Sequence, residues 1–146
     1  MKTQQNPNVA VLLATYNGSN YVEAQIKSLG ENVVPFTLHW LDDHSTDNTR
    51  DIVRATALSA GIELREWHQP RRHGVPGTFF ELLNCVDADI YLYCDQDDIW
   101  QRGKIDAVVA NLTPDVNQPV FCYSDPLMFY EDAPDTFYRV DRKSVV

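Results

Sequence analysis

The stretch Val9-Ala10-Val11-Leu12-Leu13-Ala14 is apolar at every position, then gives way at once to Thr15-Tyr16-Asn17-Gly18. A strand with one face in water alternates apolar and polar residues. An unbroken apolar run, far short of the roughly 20 residues that span a membrane, describes instead a strand buried on both faces. Such a strand needs cover above and below, the condition met when a parallel sheet lies between helices.

The rest of the chain follows that lead. Tyr21, Val22, Gln25, Ile26 and Leu29 recur at helical spacing and Gly30 is a natural stop. Phe36 to Leu41 reads as a second strand, ended by Asp42-Asp43. Ser45 or Thr46 can cap the next helix, with Asp47 in its first turn near the positive end of the dipole. Ile52, Val53, Thr56, Ala57 and Ala60 give that helix an apolar face and Gly61 closes it. Ile62, Leu64 and Trp67 mark a third strand, and Gln69 to Gly77, with its Pro, Gly and Arg residues, reads as a loop. Phe79, Leu82, Leu83 and Val86 predict a third helix, Ile90 to Cys94 a fourth strand ending at Asp95, Ile105 to Leu112 a fourth helix, and Pro119 to Tyr123 a fifth strand. The order βαβαβαβαβ predicts an α/β fold, a mainly parallel sheet with helices on both faces. After Ser124 the periodicity fades, so one domain is expected over residues 1–146, irregular from 125 to 146.

Charge narrows the function. With 12 Lys and Arg against 21 Asp and Glu, the net charge of −9 argues against nucleic acid and anionic membranes as partners. A negatively charged ligand then needs local positive charge or a bound cation. Cys85, Cys94 and Cys122 are widely spaced and show no metal-binding pattern, and they are expected to be buried free thiols. The polar N-terminus lacks the apolar core of a signal peptide. Together these features point to the cytoplasm.

In an open α/β sheet, ligands sit beyond the carboxyl ends of the strands. Three of those ends carry polar clusters. At Asp95-Gln96-Asp97-Asp98, three carboxylates within four residues repel one another. A hard cation such as Mg²⁺ or Mn²⁺ resolves that repulsion, and Asp95 and Asp97 point to the same side in extended backbone; a solvated acidic turn ahead of the next helix is the alternative. At Asp42-Asp43, the second residue is left at a strand end where it can accept N–H donors of a nucleobase or ribose hydroxyls, while Asp42 is as readily structural as functional. At the first strand's end, Tyr16 can stack on a planar ring or be partly covered by the next loop, with Thr15 and Asn17 able to bond the same ligand. Arg71, Arg72 and His73 are the dense positive charge mid-chain, suited to a diphosphate or simply solvated.

These segments, taken in order, resemble the family 2 glycosyltransferases, most closely the bacterial rhamnosyltransferase-like members. Val9 to Gly18, Asp42 to Thr49, Gly74 to Leu83, Cys94 to Trp100 and Tyr123-Ser124-Asp125 carry the likeness across nearly the whole chain. The resemblance implies a GT-A fold, here the N-terminal nucleotide-sugar-binding portion, apparently truncated at the C-terminus. It implies transfer of a sugar, with inversion, from a UDP- or dTDP-type nucleotide-diphospho-sugar to a saccharide or lipid-linked acceptor in surface polysaccharide synthesis. Ala14, Thr15, Tyr16 and Asn17 would line the nucleotide site with Tyr16 beside the base. Asp43 would hold the base, and Asp95 with Asp97 would form a DXD-type element, Asp97 as direct ligand of Mn²⁺ or Mg²⁺ and Asp95 facing ribose or the metal's water. The general base, and any segment that seats the protein at the inner face of the membrane, are expected beyond Val146. The Gln101-Arg102-Gly103 turn departs from the proline-containing turn often found after the family's Trp. The alternative is a non-catalytic nucleotide-sugar-binding or assembly module.

Overall fold

A computed structural model describes residues 7–112, 119–124, 126–130 and 133–139. Its contacts divide the chain into two compact units, Met1–Ala110 and Asn111–Val146, rather than the single body expected from length.

The first unit is built on β1 (Val9–Thr15), in which every residue is buried. β1 lies between β2 (Thr37–Asp42) and β4 (Ile90–Asp95), and β3 (Glu63–Trp67) extends the sheet beyond β2. All pairings are parallel, with Ala14 opposite both Leu41 and Asp95, and Thr15 opposite Asp42. The polar residues that follow these strands therefore emerge along one edge.

Strand order β3-β2-β1-β4 also fixes where the helices lie. Right-handed crossovers carry the chain outward from β1 to β3 along one face, through α1 (Val22–Leu29) and α2 (Thr49–Ser59). The return from β3 to β4 places α3 (Gly74–Cys85) on the other face. There Leu82 and Val86 pack on Ala10, Leu12 and Leu41, with Phe79 and Leu83 at the margin. Val22, Ile26 and Leu29 of α1 and Val53 and Ala57 of α2 bury the opposite side. The sheet is thus covered above and below, as the apolar β1 requires. α4 (Lys104–Asn111) begins against the α1–β2 loop: Asn32 Oδ1 accepts from the Ile105 amide, and the Asp106 carboxylate accepts from the Val33 and Val34 amides.

Several local expectations are corrected. α2 begins at Thr49, not after Ser45 or Thr46, because both those residues are engaged elsewhere. α3 begins at Gly74, so Val75, Pro76 and Gly77 belong to its first turn rather than to a loop; Gly74 opens it with φ +73°, and a proline so near a helix start removes no helical hydrogen bond. Residues 119–123 form no strand: they have no ladder partner among the described residues, and Val120 and Phe121 are exposed. In the second unit the stretch expected to be irregular contains an antiparallel hairpin, β5 (Leu127–Tyr130) with β6 (Ala133–Arg139), pairing Leu127 with Arg139 and Phe129 with Phe137. Of the cysteines only Cys94 is buried; Cys85 and Cys122 are exposed, and all are free thiols.

Leu12 is fully enclosed between β1 and α3. Leu12→Ala is expected to cost about 2–5 kcal/mol, read in urea unfolding as a lower midpoint at unchanged slope. A loss below about 1 kcal/mol would mean that β1 does not anchor the core in this way.

Candidate functional site

The crossover direction reverses between β1 and β4, and an open sheet parts into a crevice at such a point. A cleft of about 210 Å³ lies there, lined by Ala14, Thr15 and Tyr16 from β1, Asp43 after β2, Val75 and Thr78 on α3, and Asp95, Gln96 and Asp97 from β4. A larger cavity of about 440 Å³, around Asn32 and Asp106, is at the α1–β2 loop, away from these strand ends. Chemistry rather than size singles out the smaller one.

Its floor is a hydrogen-bond lattice. Asp42 accepts from Thr15 Oγ1 (2.8 Å), the Ser45 amide (2.8 Å), Ser45 Oγ (2.5 Å) and Arg50 Nε (2.7 Å). Trp40 Nε1 in turn donates to Thr15 Oγ1 at 2.9 Å. Burial opposes ionisation of Asp42, but the bonds from Ser45, Arg50 and Thr15 outweigh it and hold its carboxyl below the usual carboxylate range. Thr15 is accordingly framework: its hydroxyl is committed to Asp42 and Trp40.

The β1–α1 loop is tied to the β2–α2 loop. The Asn17 amide donates to Ser45 Oγ (2.8 Å), the Thr46 amide donates to Asn17 Oδ1 (2.8 Å), and the Gly18 amide donates to Thr49 Oγ1 (2.8 Å). Asp47 accepts from Thr49 and from the Ser19 amide, and the Thr49 bonds foremost draw its carboxyl down to about 2. Asn17 and His44 hold left-handed backbone, φ +47° and +65°, at these two turns. Asn17 therefore shapes the loop from outside the cleft.

Asp43 is 3% exposed and faces the α3 side. Its carboxylate accepts from Gln69 Nε2 (2.6 Å), the His73 amide (2.8 Å), the Gly74 amide (2.9 Å) and Arg72 Nε (3.3 Å). Two of these donors are amides at the positive end of α3, a favourable seat for a carboxylate. The Arg72 guanidinium lies over the Tyr16 ring, 3.6 Å from its centroid.

Across the cleft, Gln96 pairs with the Tyr16 backbone at both ends of its amide: the Tyr16 amide donates to Oε1 (2.9 Å) and Nε2 donates to the Tyr16 carbonyl (3.1 Å). Gly18 makes room for it, since a Cβ there would stand 2.3 Å from Gln96 Oε1.

Asp95 and Asp97 differ from the other pair. No hydrogen-bond donor among the described residues reaches either carboxylate. Burial foremost, then the charges of Asp98 and Asp97, raise the proton affinity of Asp95, and Asp98 is raised similarly. Carboxylates without hydrogen-bond donors could serve as oxygen ligands of a hard divalent cation. Among the described residues no group of three or more His, Cys, Asp or Glu could hold a metal ion by itself. Just beneath, Cys94 accepts from Gln25 Nε2 and burial pushes its thiol up to about 12, leaving it neutral and inert.

Six of the seven residues singled out from sequence thus meet at one cleft, Asn17 being the exception. Gln96, Val75 and Thr78 also line it and were not foreseen; Arg72, which the sequence offers to a diphosphate, lies over the Tyr16 ring instead. Gln96 and Asp97 form the turn that follows β4, so the strand alternation that the sequence suggested for Asp95 and Asp97 does not extend to them and gives no signal for Gln96. Val75 and Thr78 were hidden by the loop-like composition before α3.

Residues 10–125 match the family profile described as glycosyl transferase family 2. The dTDP-rhamnosyl transferase RfbG of Shigella flexneri is 35% identical over 139 residues, covering 92% of this chain and 45% of that protein. Among solved structures, S. aureus TarS 1–349 in complex with UDP has a TM-score of 0.64 at 25% identity, covering 70% of this chain and 31% of that one. The mannosyltransferase PcManGT from Pyrobaculum calidifontis, in complex with GDP-Man and Mn²⁺, has a TM-score of 0.60 at 25% identity, covering 66% and 29%. The chain therefore spans less than half the length of each of these relatives.

Asp42→Ala is expected to destabilise the fold by about 3 kcal/mol, since it strands Arg50 and Thr15. Because the folded carboxyl titrates below its unfolded value, the wild type should lose this contribution as pH falls through that lower range, whereas the variant should show no such loss. Urea midpoints measured from pH 7 down to about pH 2 check both; curves that stay parallel over the whole range would remove Asp42 from this role.

Proposed function

The chain belongs to glycosyl transferase family 2, and on that premise we propose that it binds a nucleotide-diphospho-sugar of UDP or dTDP type in the cleft at the ends of β1, β2 and β4. The activity served is transfer of the sugar, with inversion, to a saccharide or lipid-linked acceptor in surface polysaccharide synthesis, in the cytoplasm. One observation carries this reading: Tyr16, Asp43, Asp95 and Asp97, far apart in sequence, line one cleft. The bound UDP of the TarS structure and the GDP-Man and Mn²⁺ of the mannosyltransferase structure support it.

Each residue then has a task. Tyr16 presents a ring face to the base, and Asp43 accepts an N–H from it. The Asp43 carboxylate has about four lone-pair sites and already receives four donors, so a base must replace one of them. Arg72, bound at the longest distance from a half-exposed side chain, is the donor most easily replaced. Asp97 and Asp95 would be the residues that hold Mn²⁺ or Mg²⁺. Bound there, the ion would supply positive charge to stabilise the diphosphate as leaving group. The acceptor hydroxyl attacks from the opposite face and gives its proton to a general base that we assign to no residue of this chain.

UDP or dTDP with Mn²⁺ is expected to raise the melting temperature by several degrees, since ligand at about 100 times its dissociation constant stabilises a fold by about 2.7 kcal/mol. Asp97→Ala should abolish the dependence on Mn²⁺, while Asp51→Ala, on the outer surface of α2, should leave it intact. No shift at millimolar ligand in a folded sample, or equal loss in both variants, would count decisively against the assignment. Because Asp95 has a raised proton affinity, metal-dependent stabilisation should also weaken as pH falls, sooner than for an ordinary carboxylate.

A further inference from the structure

We propose that Arg72 is an internal occupant of the base subsite, a planar cation that must swing out before a nucleotide enters. The proposal rests on the reading of Tyr16 and Asp43 as the walls that receive the base.

The guanidinium of Arg72 does two things at once. It stacks on Tyr16, its central carbon 3.6 Å from the ring centroid, and its Nε donates to Asp43 Oδ2 at 3.3 Å. A flat group that covers an aromatic face and gives an N–H to a carboxylate reproduces, in miniature, the contacts expected of a pyrimidine base at the same place. The two compete, because the face of Tyr16 and the acceptor site of Asp43 that Arg72 takes admit one planar donor.

The surroundings make Arg72 displaceable. Its side chain is 55% exposed and the Asp43 side chain 4%, so the carboxylate is fixed in the floor while the cation approaches from solvent. Without Arg72, Asp43 keeps Gln69 and the His73 and Gly74 amides, three donors that hold it in place. The adjoining His73 and Gly74 amides pin the backbone on the C-terminal side of Arg72, and Gly74, at φ +73°, turns the chain into α3. Only the side chain has to move. Its departure leaves Tyr16 in position, because the Tyr16 backbone is held separately by both ends of the Gln96 amide.

The arrangement has a counter-intuitive sign. A residue that contacts ligand directly weakens binding when removed, whereas an occupant of the subsite strengthens it. A partly exposed cation–π contact and a half-exposed ion pair together compete by about threefold to tenfold in affinity. Arg72→Ala should therefore bind uridine or thymidine, which carry no phosphate for a freed guanidinium to touch, about threefold to tenfold more tightly than the wild type. In the double variant with Tyr16→Ala that gain should vanish.

A second measurement does not depend on a variant's folding. In ¹⁵N-labelled wild type the Arg72 Nε–H resonance, identified by its loss in Arg72→Lys, should be shifted upfield by the Tyr16 ring and should move to an ordinary position when UDP and Mg²⁺ are added. A resonance that stays shielded with UDP bound, or one that is unshielded in the free protein, overturns the proposal, as does unchanged or weaker nucleoside binding by Arg72→Ala. If UDP binds but Arg72 does not leave, the base site stands and the occupant falls. If neither protein binds UDP or dTDP, both fall together.

Discussion

The first unit is held together where its strands stop, at the carboxylate of Asp42. A parallel sheet hydrogen-bonds its own interior but leaves the strand ends to loops that have no regular pairing. Asp42 accepts from β1, from its own following turn and from α2, and Thr15 relays the same lattice to Trp40 beneath. The next residue repeats the arrangement on the opposite side. Successive residues of extended chain point to opposite faces, so Asp42 reaches Arg50 on α2 while Asp43 reaches the first amides of α3. Two adjacent aspartates thus fasten the two helical layers to one strand end.

The same view separates the acidic clusters. At Asp42 and Asp43 the fold supplies its own counter-charges, Arg50 and Arg72, together with amide and hydroxyl donors. At Asp95, Asp97 and Asp98 it supplies little, and burial with mutual repulsion raises the proton affinity of Asp95. A net charge of −9 is therefore unevenly compensated. One cluster is neutralised during folding, and the other is left with an affinity for positive charge.

Much of this was legible in the sequence, and the misses share a cause. The unbroken apolar run of β1, the helical spacing of Val22 to Leu29 and the strand-end positions of Asp43 and Asp95 all follow from periodicity, a local property. Ser45 and Thr46 look like helix caps locally, yet both are drawn to Asp42 and Asn17, contacts that span loops and leave no trace in spacing. The Pro- and Gly-rich start of α3 looks like a loop because those residues break helices in the interior, though not in the first turn. Residues 119–123 have the composition of a strand but no neighbour to pair with among the described residues, while Leu127 to Arg139 pair with each other without clear alternation. Arg72 stayed ambiguous because what a guanidinium does depends on which ring and which carboxylate the fold brings to it.

The pairing of Gln96 with Tyr16, made possible by the bare Cα of Gly18, has a thermodynamic consequence. Two loops some 80 residues apart in sequence are joined before any ligand arrives, so the entropy of ordering them is lost in folding rather than in binding. Recognition in such a cleft is closer to a lock than to a closing hand. Its heat-capacity change on binding should reflect the surface of the ligand itself, with little added from backbone that becomes ordered.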